Sequence, residues 1–286
     1  MRRAKHTIIV LGLALASCRG PMAVPTATPQ TYTVHILATT ATYPLLQELA
    51  AGFERPGTLL AVNSSVVDWA TIYDRLLAGD VPFALTTYLP TDARLWAAPI
   101  GQDGIAIIVH TTNPVPALTL ADLRLIFQGQ ITSWAALGGE NLPVIAVSRE
   151  DGADTRLAFE ALVMSNQPTT LNARLALSSA SMVEIVAETP GAIGYVSMTW
   201  AAGDSRVRVV PVSAESGEAQ VPTPETVSTD AYPLRTPVLI VGLDAPAPDT
   251  IYYDWFAWMQ SDPGQQIVAR YYGTLPALNP LPTRPN

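Results

Sequence analysis

Cysteine occurs once in the 286 residues, lysine once, and charged side chains make up only 14% of the chain. A single thiol excludes intrachain disulfides, zinc clusters and iron–sulfur ligation. The charge content is well below the roughly 25% of an average soluble protein, yet no apolar run reaches the roughly 20 residues that a membrane-spanning helix needs. Nor does low charge mean disorder, because 49% of the residues are apolar and ample for a core. With 24 acidic against 16 basic side chains the net charge is −8, which argues against a nucleic-acid partner, since such a binder needs a basic face for the phosphates. There is no Gly-x-Ser-x-Gly elbow, no histidine-rich metal spacing and no Walker sequence, so the chain reads as a non-enzyme without cofactor or metal. At roughly 150 residues per domain the length predicts two lobes.

The lone cysteine closes a secretion signal. Residues 1–18 read MRRAKHTIIVLGLALASC: Arg2, Arg3 and Lys5 form a basic start, and Ile8 to Ala16 form a short apolar run. Leu15-Ala16-Ser17-Cys18 resembles the lipobox of bacterial lipoproteins, in which the signal is cut before the cysteine and the cysteine is acylated. The other reading is an ordinary signal peptide with an incidental cysteine. The lipobox is favoured because the one Cys stands at the position that motif requires. The resemblance thus implies that residues 1–17 are the signal peptide, that Cys18 is the lipidation site, and that the protein is extracytoplasmic and lipid-anchored to the cell membrane. Several acyl chains hold a protein on a bilayer where one alone would not. Cleavage leaves 24 acidic residues against thirteen basic ones, all arginine, so any anion must be held by Arg, a backbone N–H or a hydroxyl.

Residues 18–31 carry Pro21, Pro25 and Pro29 among small and hydroxylated residues, the composition of an extended spacer. Strand-like runs follow at 32–39, 58–62, 104–110, 143–148, 192–197, 206–212 and 237–243. Helix starts lie between them. Pro44 opens one helix, Thr119 and Asp122 bracket another that Gly129 ends, Ser181 with Glu184 forms a capping box, and Asp262-Pro263 begins the last. Residues 249–260 are aromatic-rich at helical spacing, which means a buried helix face. Alternation of this kind predicts an α/β fold.

Several blocks resemble one family. GQDGIAIIVHTTNPVPALTLADLRLIFQGQITSWAALGG and PVIAVSREDGADTRLAFEALV, followed by ETPGAIGYVS, AYPLRTPVLIVGL and MQSDPGQQIVARYYGTLPA, fall in the order seen in phosphate-binding proteins of ABC importers. The ITSW and TPGAIGY turns are expected to pack and cap rather than to bind. The resemblance implies a two-lobed periplasmic-binding-protein fold of type II, closing on a solute by a hinge. The first lobe would take residues 32–98 plus 233–286 and the second 99–232, with crossings near Pro99-Ile100 and Tyr232-Pro233. It also implies a monomer that captures phosphate or a related oxyanion for ABC permease subunits.

The same resemblance places the binding residues. ATTATYPL matches the hydroxyl-rich turn before the family's first helix, making Thr39, Thr40, Thr42 and the Tyr43 N–H candidates, although any one threonine also fits a plain helix cap. Arg149 matches the ligand arginine, with Asp151 placed to orient it and Thr155 opening the helix. Helix starts, hydroxyls and an arginine together suit a phosphate. Three departures stand out. Ala153-Asp154 replaces small residues and puts a carboxylate where phosphate would sit, at the positive end of a helix. NSSVVDWAT replaces a glycine- and serine-rich loop, leaving Ser65 beside bulky Val67 and Trp69. PFALTTYLP puts Thr86 and Thr87 where a serine and an acid are usual. These departures keep two alternatives open: a different, less charged solute, and a sensor or scaffold whose anion site has decayed. Among other residues, His35 and His110 read as packing or surface residues, and Trp96, Trp134, Trp200, Trp255 and Trp258 as core or lobe-edge residues rather than a stacking platform.

Overall fold

The computed structural model describes residues 29–91, 94–214 and 217–275. The expected signal peptide, Cys18 and nearly all of the proline-rich spacer lie outside the described residues, as do residues 276–286.

The chain begins with β1 (Gln30–Ala38), α1 (Tyr43–Gly52), β2 (Thr58–Val66), α2 (Trp69–Leu77) and β3 (Phe83–Thr86). Next come β4 (Trp96–His110), β5 (Leu118–Thr119), α3 (Leu120–Phe127) and a 3-10 turn at Trp134–Leu137. They are followed by β6 (Ile145–Arg149), α4 (Asp154–Leu162), β7 (Arg174–Ala176), α5 (Ser179–Glu188), β8 (Ala192–Ser197) and α6 (Met198–Ala201). The remaining elements are β9 (Val207–Val209), β10 (Val212–Ser213), α7 (Pro224–Ser228), β11 (Arg235–Gly242), α8 (Ile251–Met259) and α9 (Asp262–Val268).

The main sheet has the order β2-β1-β3-β11-β4-β8-β6-β7, with β9 also on β4. β4 belongs to both halves. Its stretch from Trp96 to Gly104 pairs with β11, and Ile105 to Val109 pair with β8. The partner therefore changes between Gly104 and Ile105. The return is marked by the Ile105 N–H donating to the Leu234 carbonyl at 2.8 Å. The α/β, two-lobed architecture is as expected. β1 to β3 are parallel in the first lobe, and β6 to β8 in the second. Every residue of β8 and of Ile105 to Val109 is buried, as strands covered on both faces require.

Local sequence explains most boundaries. Thr119 and Asp122 close a capping box at α3. At α5 the box is formed by Ser178 and Ser181, correcting the expected Ser181–Glu184 pair. Ser178 is the extended residue before the helix, so Ser181 stands one turn in and bonds back to it. β2 runs on to Val66, and α2 starts at Trp69 under an Asp68 cap that accepts from the Thr71 N–H. Residues 63–66, read as part of a loop from sequence, are thus strand. The ITSW and TPGAIGY turns pack against each other: Trp134 is buried and its Nε1 donates to the Gly191 carbonyl at 2.8 Å. Gly191 has φ of 83°, and a Cβ there would lie 2.3 Å from the Pro143 oxygen. Helix α8 buries Trp255, Phe256 and Met259.

Candidate functional site

Ligands of open α/β sheets bind outside the carboxyl ends of the strands. Here the turns after β1, β2 and β3 meet the turn between β6 and α4 from the other lobe. Between them lies a pocket of about 160 Å³, lined by Thr39, Thr40, Asp68, Arg149, Glu150 and Asp154 with apolar neighbours.

Arg149 ends β6 and its side chain is 3% exposed. Its backbone is clamped. The Arg149 N–H donates to the Tyr195 hydroxyl at 3.3 Å, which lies 2.8 Å from the Ser148 hydroxyl, and the Arg156 guanidinium donates to the Arg149 carbonyl at 3.0 Å. Tyr195 stacks on Phe159 with centroids 4.3 Å apart, and burial pushes its phenol up to about 12, so it stays neutral. The guanidinium binds Glu150 through Nε and Nη2, at 2.9 and 2.7 Å. Nη1 faces the cleft, 3.3 Å from the Thr40 hydroxyl and 3.4 Å from that of Ser179.

Asp154 is fully buried at the first turn of α4 and gathers five hydrogen bonds. Oδ2 accepts from the Thr39 hydroxyl at 2.5 Å, the Thr87 hydroxyl at 2.8 Å and the Thr87 N–H at 3.2 Å. Oδ1 accepts from the Thr155 N–H at 2.8 Å and its hydroxyl at 3.3 Å. Thr39, Thr40, Thr87, Arg149, Asp154 and Thr155 are therefore brought together.

Four candidates are placed otherwise. Asp151 does not orient Arg149: its side chain is 93% exposed and pairs with Arg156, because the turn carries it outward and Glu150 takes the guanidinium instead. The Thr42 hydroxyl donates to the Leu85 carbonyl at 3.0 Å and braces the turn. The Tyr43 N–H donates to the Thr39 carbonyl at 3.0 Å, so that donor is spent inside its own loop. Ser65 is exposed on the edge strand β2, opposite Leu37, and does not line the pocket.

Other groups join the cleft without having been singled out. Ser179, the first residue of α5, lies 3.3 Å from the Thr40 hydroxyl. Trp200 Nε1 donates to the Thr40 carbonyl at 3.0 Å, and the Trp69 N–H to the Gly152 carbonyl at 2.9 Å, both from one lobe to the other. Asp103 is buried where β4 changes partner, and burial raises its carboxyl to about 7. Hydrogen bonds from Ser197 and from the Gly104 and Met198 N–H groups oppose that rise, and the Asp154 charge adds a little to it. Its Oδ1 has no hydrogen-bond partner. Among the described residues no group of three His, Cys, Asp or Glu side chains is placed to hold a metal ion, and no helix is long and apolar enough to cross a membrane.

Two lobes sharing one strand, with a polar cleft between turns at the strand ends, define a solute-binding architecture. The chain belongs to the PBP superfamily: the model of the PBP superfamily domain matches residues 23–263. It is 30% identical over 131 residues to the phosphate-binding protein PstS of Bacillus subtilis, a match covering 46% of this chain and 41% of that protein. Over 206 residues it is 27% identical to PstS of Pseudomonas aeruginosa, covering 66% of this chain and 62% of the relative. The chain thus spans less than two thirds of the length of these curated relatives. Among solved structures it is similar to a putative phosphate ABC transporter substrate-binding protein with bound phosphate from Clostridium perfringens. That match has 29% identity and a TM-score of 0.74, covering 86% of this chain and all of the other. An ABC-type phosphate transport receptor from Vibrio cholerae is 26% identical with a TM-score of 0.68, covering 85% of this chain and all of that one.

Proposed function

We propose that this protein is an extracytoplasmic solute-binding lipoprotein, anchored through Cys18, that captures phosphate or a related oxyanion and passes it as a monomer to ABC permease subunits. The observation that carries the reading is Arg149. A guanidinium that is almost wholly buried, held by its backbone at the end of β6 and turned toward two hydroxyls in an interlobe cleft, is suited to an oxyanion. The names of the relatives support the same ligand class, and transport receptors of that kind are not enzymes. The lobes that close would be residues 32–98 with 233–286, and residues 99–232.

The test is calorimetric titration of the full chain with phosphate, sulfate, molybdate and tungstate. Saturable binding of at least one, weakened in Arg149→Ala, is expected. Failure of all four to bind would remove the reading. A second reading is favoured by Glu150 and Asp154, which together outweigh the Arg149 charge: a protein of the same fold that takes a less charged solute, or a sensor or scaffold with a degraded anion site.

A further inference from the structure

The donors around Asp154 come from three separate places: the turn after β1 (Thr39), the turn after β3 (Thr87) and the first turn of α4 (Thr155). Hydroxyls, a backbone N–H aimed into a cleft and an N–H at a helix start are the groups that would surround an oxyanion of the proposed ligand class. Every one of them ends on a carboxylate of the chain itself. Ala153, the residue before α4, supplies no side-chain cap, so the Asp154 carboxylate folds back over its own helix start. Three of the five bonds also cross between lobes, since Thr39 and Thr87 stand on one and Asp154 on the other.

We infer that Asp154 is a built-in ligand: its carboxylate takes the oxyanion's place, draws the lobes together without solute, and sets specificity because an entering oxyanion must displace it. What displaces it rests on the proposed oxyanion role; that it latches the cleft does not. With Arg149 held by Glu150 and Asp68 also lining the pocket, the four charges of the cleft sum to a negative value, so a dianion meets repulsion until Asp154 swings away. The remaining pocket of about 160 Å³ is then the vestibule beside an occupied subsite.

The Trp69 N–H reports closure directly. It stands in the first turn of α2, where no helical partner exists, and is bonded only across the cleft to Gly152. The experiment follows its hydrogen exchange by NMR in the full chain without solute, together with phosphate titration. Asp154→Gly is expected to speed exchange about tenfold or more and to strengthen phosphate binding by about tenfold or more, saturating phosphate then restoring protection. Asp154→Asn, which keeps the shape and loses the charge, and Thr39→Val with Thr87→Val, which remove hydroxyl donors, are expected to speed exchange likewise. Unchanged protection in all three variants overturns the inference. Faster exchange in variants that take up no oxyanion upholds the latch and removes the oxyanion reading. Unchanged exchange with tight phosphate binding by the parent does the reverse.

Discussion

The Trp69 N–H and the Gly152 carbonyl join the two lobes at 2.9 Å, and Gly152 reaches that position with φ of 85°. A Cβ at Gly152 would lie 3.0 Å from the Cβ of Ala70. Backbone conformation and close approach therefore both call for glycine at this point of the β6–α4 turn.

Gly152→Ala is accordingly expected to cost roughly 1–2 kcal/mol from the left-handed conformation, plus the contact with Ala70. Scanning calorimetry should show a lower Tm, and exchange at Trp69 should quicken. Adding Ala70→Gly should recover only the contact part. Full recovery would mean that backbone conformation is not what the glycine supplies.

Arg149→Ala should weaken oxyanion binding by about 1.5–3 kcal/mol, which is tenfold to over a hundredfold. It also leaves the Glu150 carboxylate, 25% exposed, without its partner. A double-mutant cycle with Glu150→Gln should show coupling in stability, and Arg149→Lys should fail to restore affinity because a lysine cannot form the paired bonds. Equal affinity in parent and Arg149→Ala would disprove the role.

Asp103 makes stability depend on pH. Its folded-state carboxyl is raised to about 7, above the ordinary 3.8 of the unfolded chain. Between those values the folded state holds a proton that the unfolded state lacks, so this contribution is complete below pH ~4 and is lost as pH rises through ~7, at about 1.4 kcal/mol per pH unit. Asp103→Asn should therefore gain stability relative to the parent on going from pH 5 to pH 8, measured by urea denaturation. A constant difference across that range would show that the carboxyl does not titrate there.

Trp134→Phe should cost about 1–2 kcal/mol through the lost bond to Gly191 and the smaller ring, with ligand affinity unchanged. A loss of affinity without a loss of Tm would place the ITSW turn in binding after all.

Cys18→Ser should release the protein from membranes or block its processing, read by fractionation at high salt. Normal cleavage with unchanged membrane retention would rule out the lipid anchor.

Much of the architecture was legible because its signals are local. Apolar β-branched runs mark β8 and β11, Thr119 with Asp122 marks α3, and Pro263 marks α9. The exact cap of α5 was not, because serines at 178 and 181 both satisfy the motif and only the extended backbone at Ser178 decides. At the cleft, Arg149 was legible from SREDGADTR, whereas its partner was not. Glu150 and Asp151 are adjacent carboxylates, and the turn through Gly152 determines which one faces inward. The bonds from Thr39 and Thr87 to Asp154 span 115 and 67 residues, a separation over which no periodicity carries information. Ser179 was hidden for the same reason, and Trp200 was legible as a core or lobe-edge residue but not as a partner of the Thr40 carbonyl.

The place of β11 in the sheet has a consequence for the order of folding. Between β3 and β4, it fills the middle of the first half-sheet with residues 235–242. The core around Ile36, Leu85 and Ile100 cannot be sealed until that segment arrives, after β4 to β10 have all been made. Pairings so distant in sequence form slowly. A newly made chain thus keeps this half-sheet open until residues 235–242 have emerged.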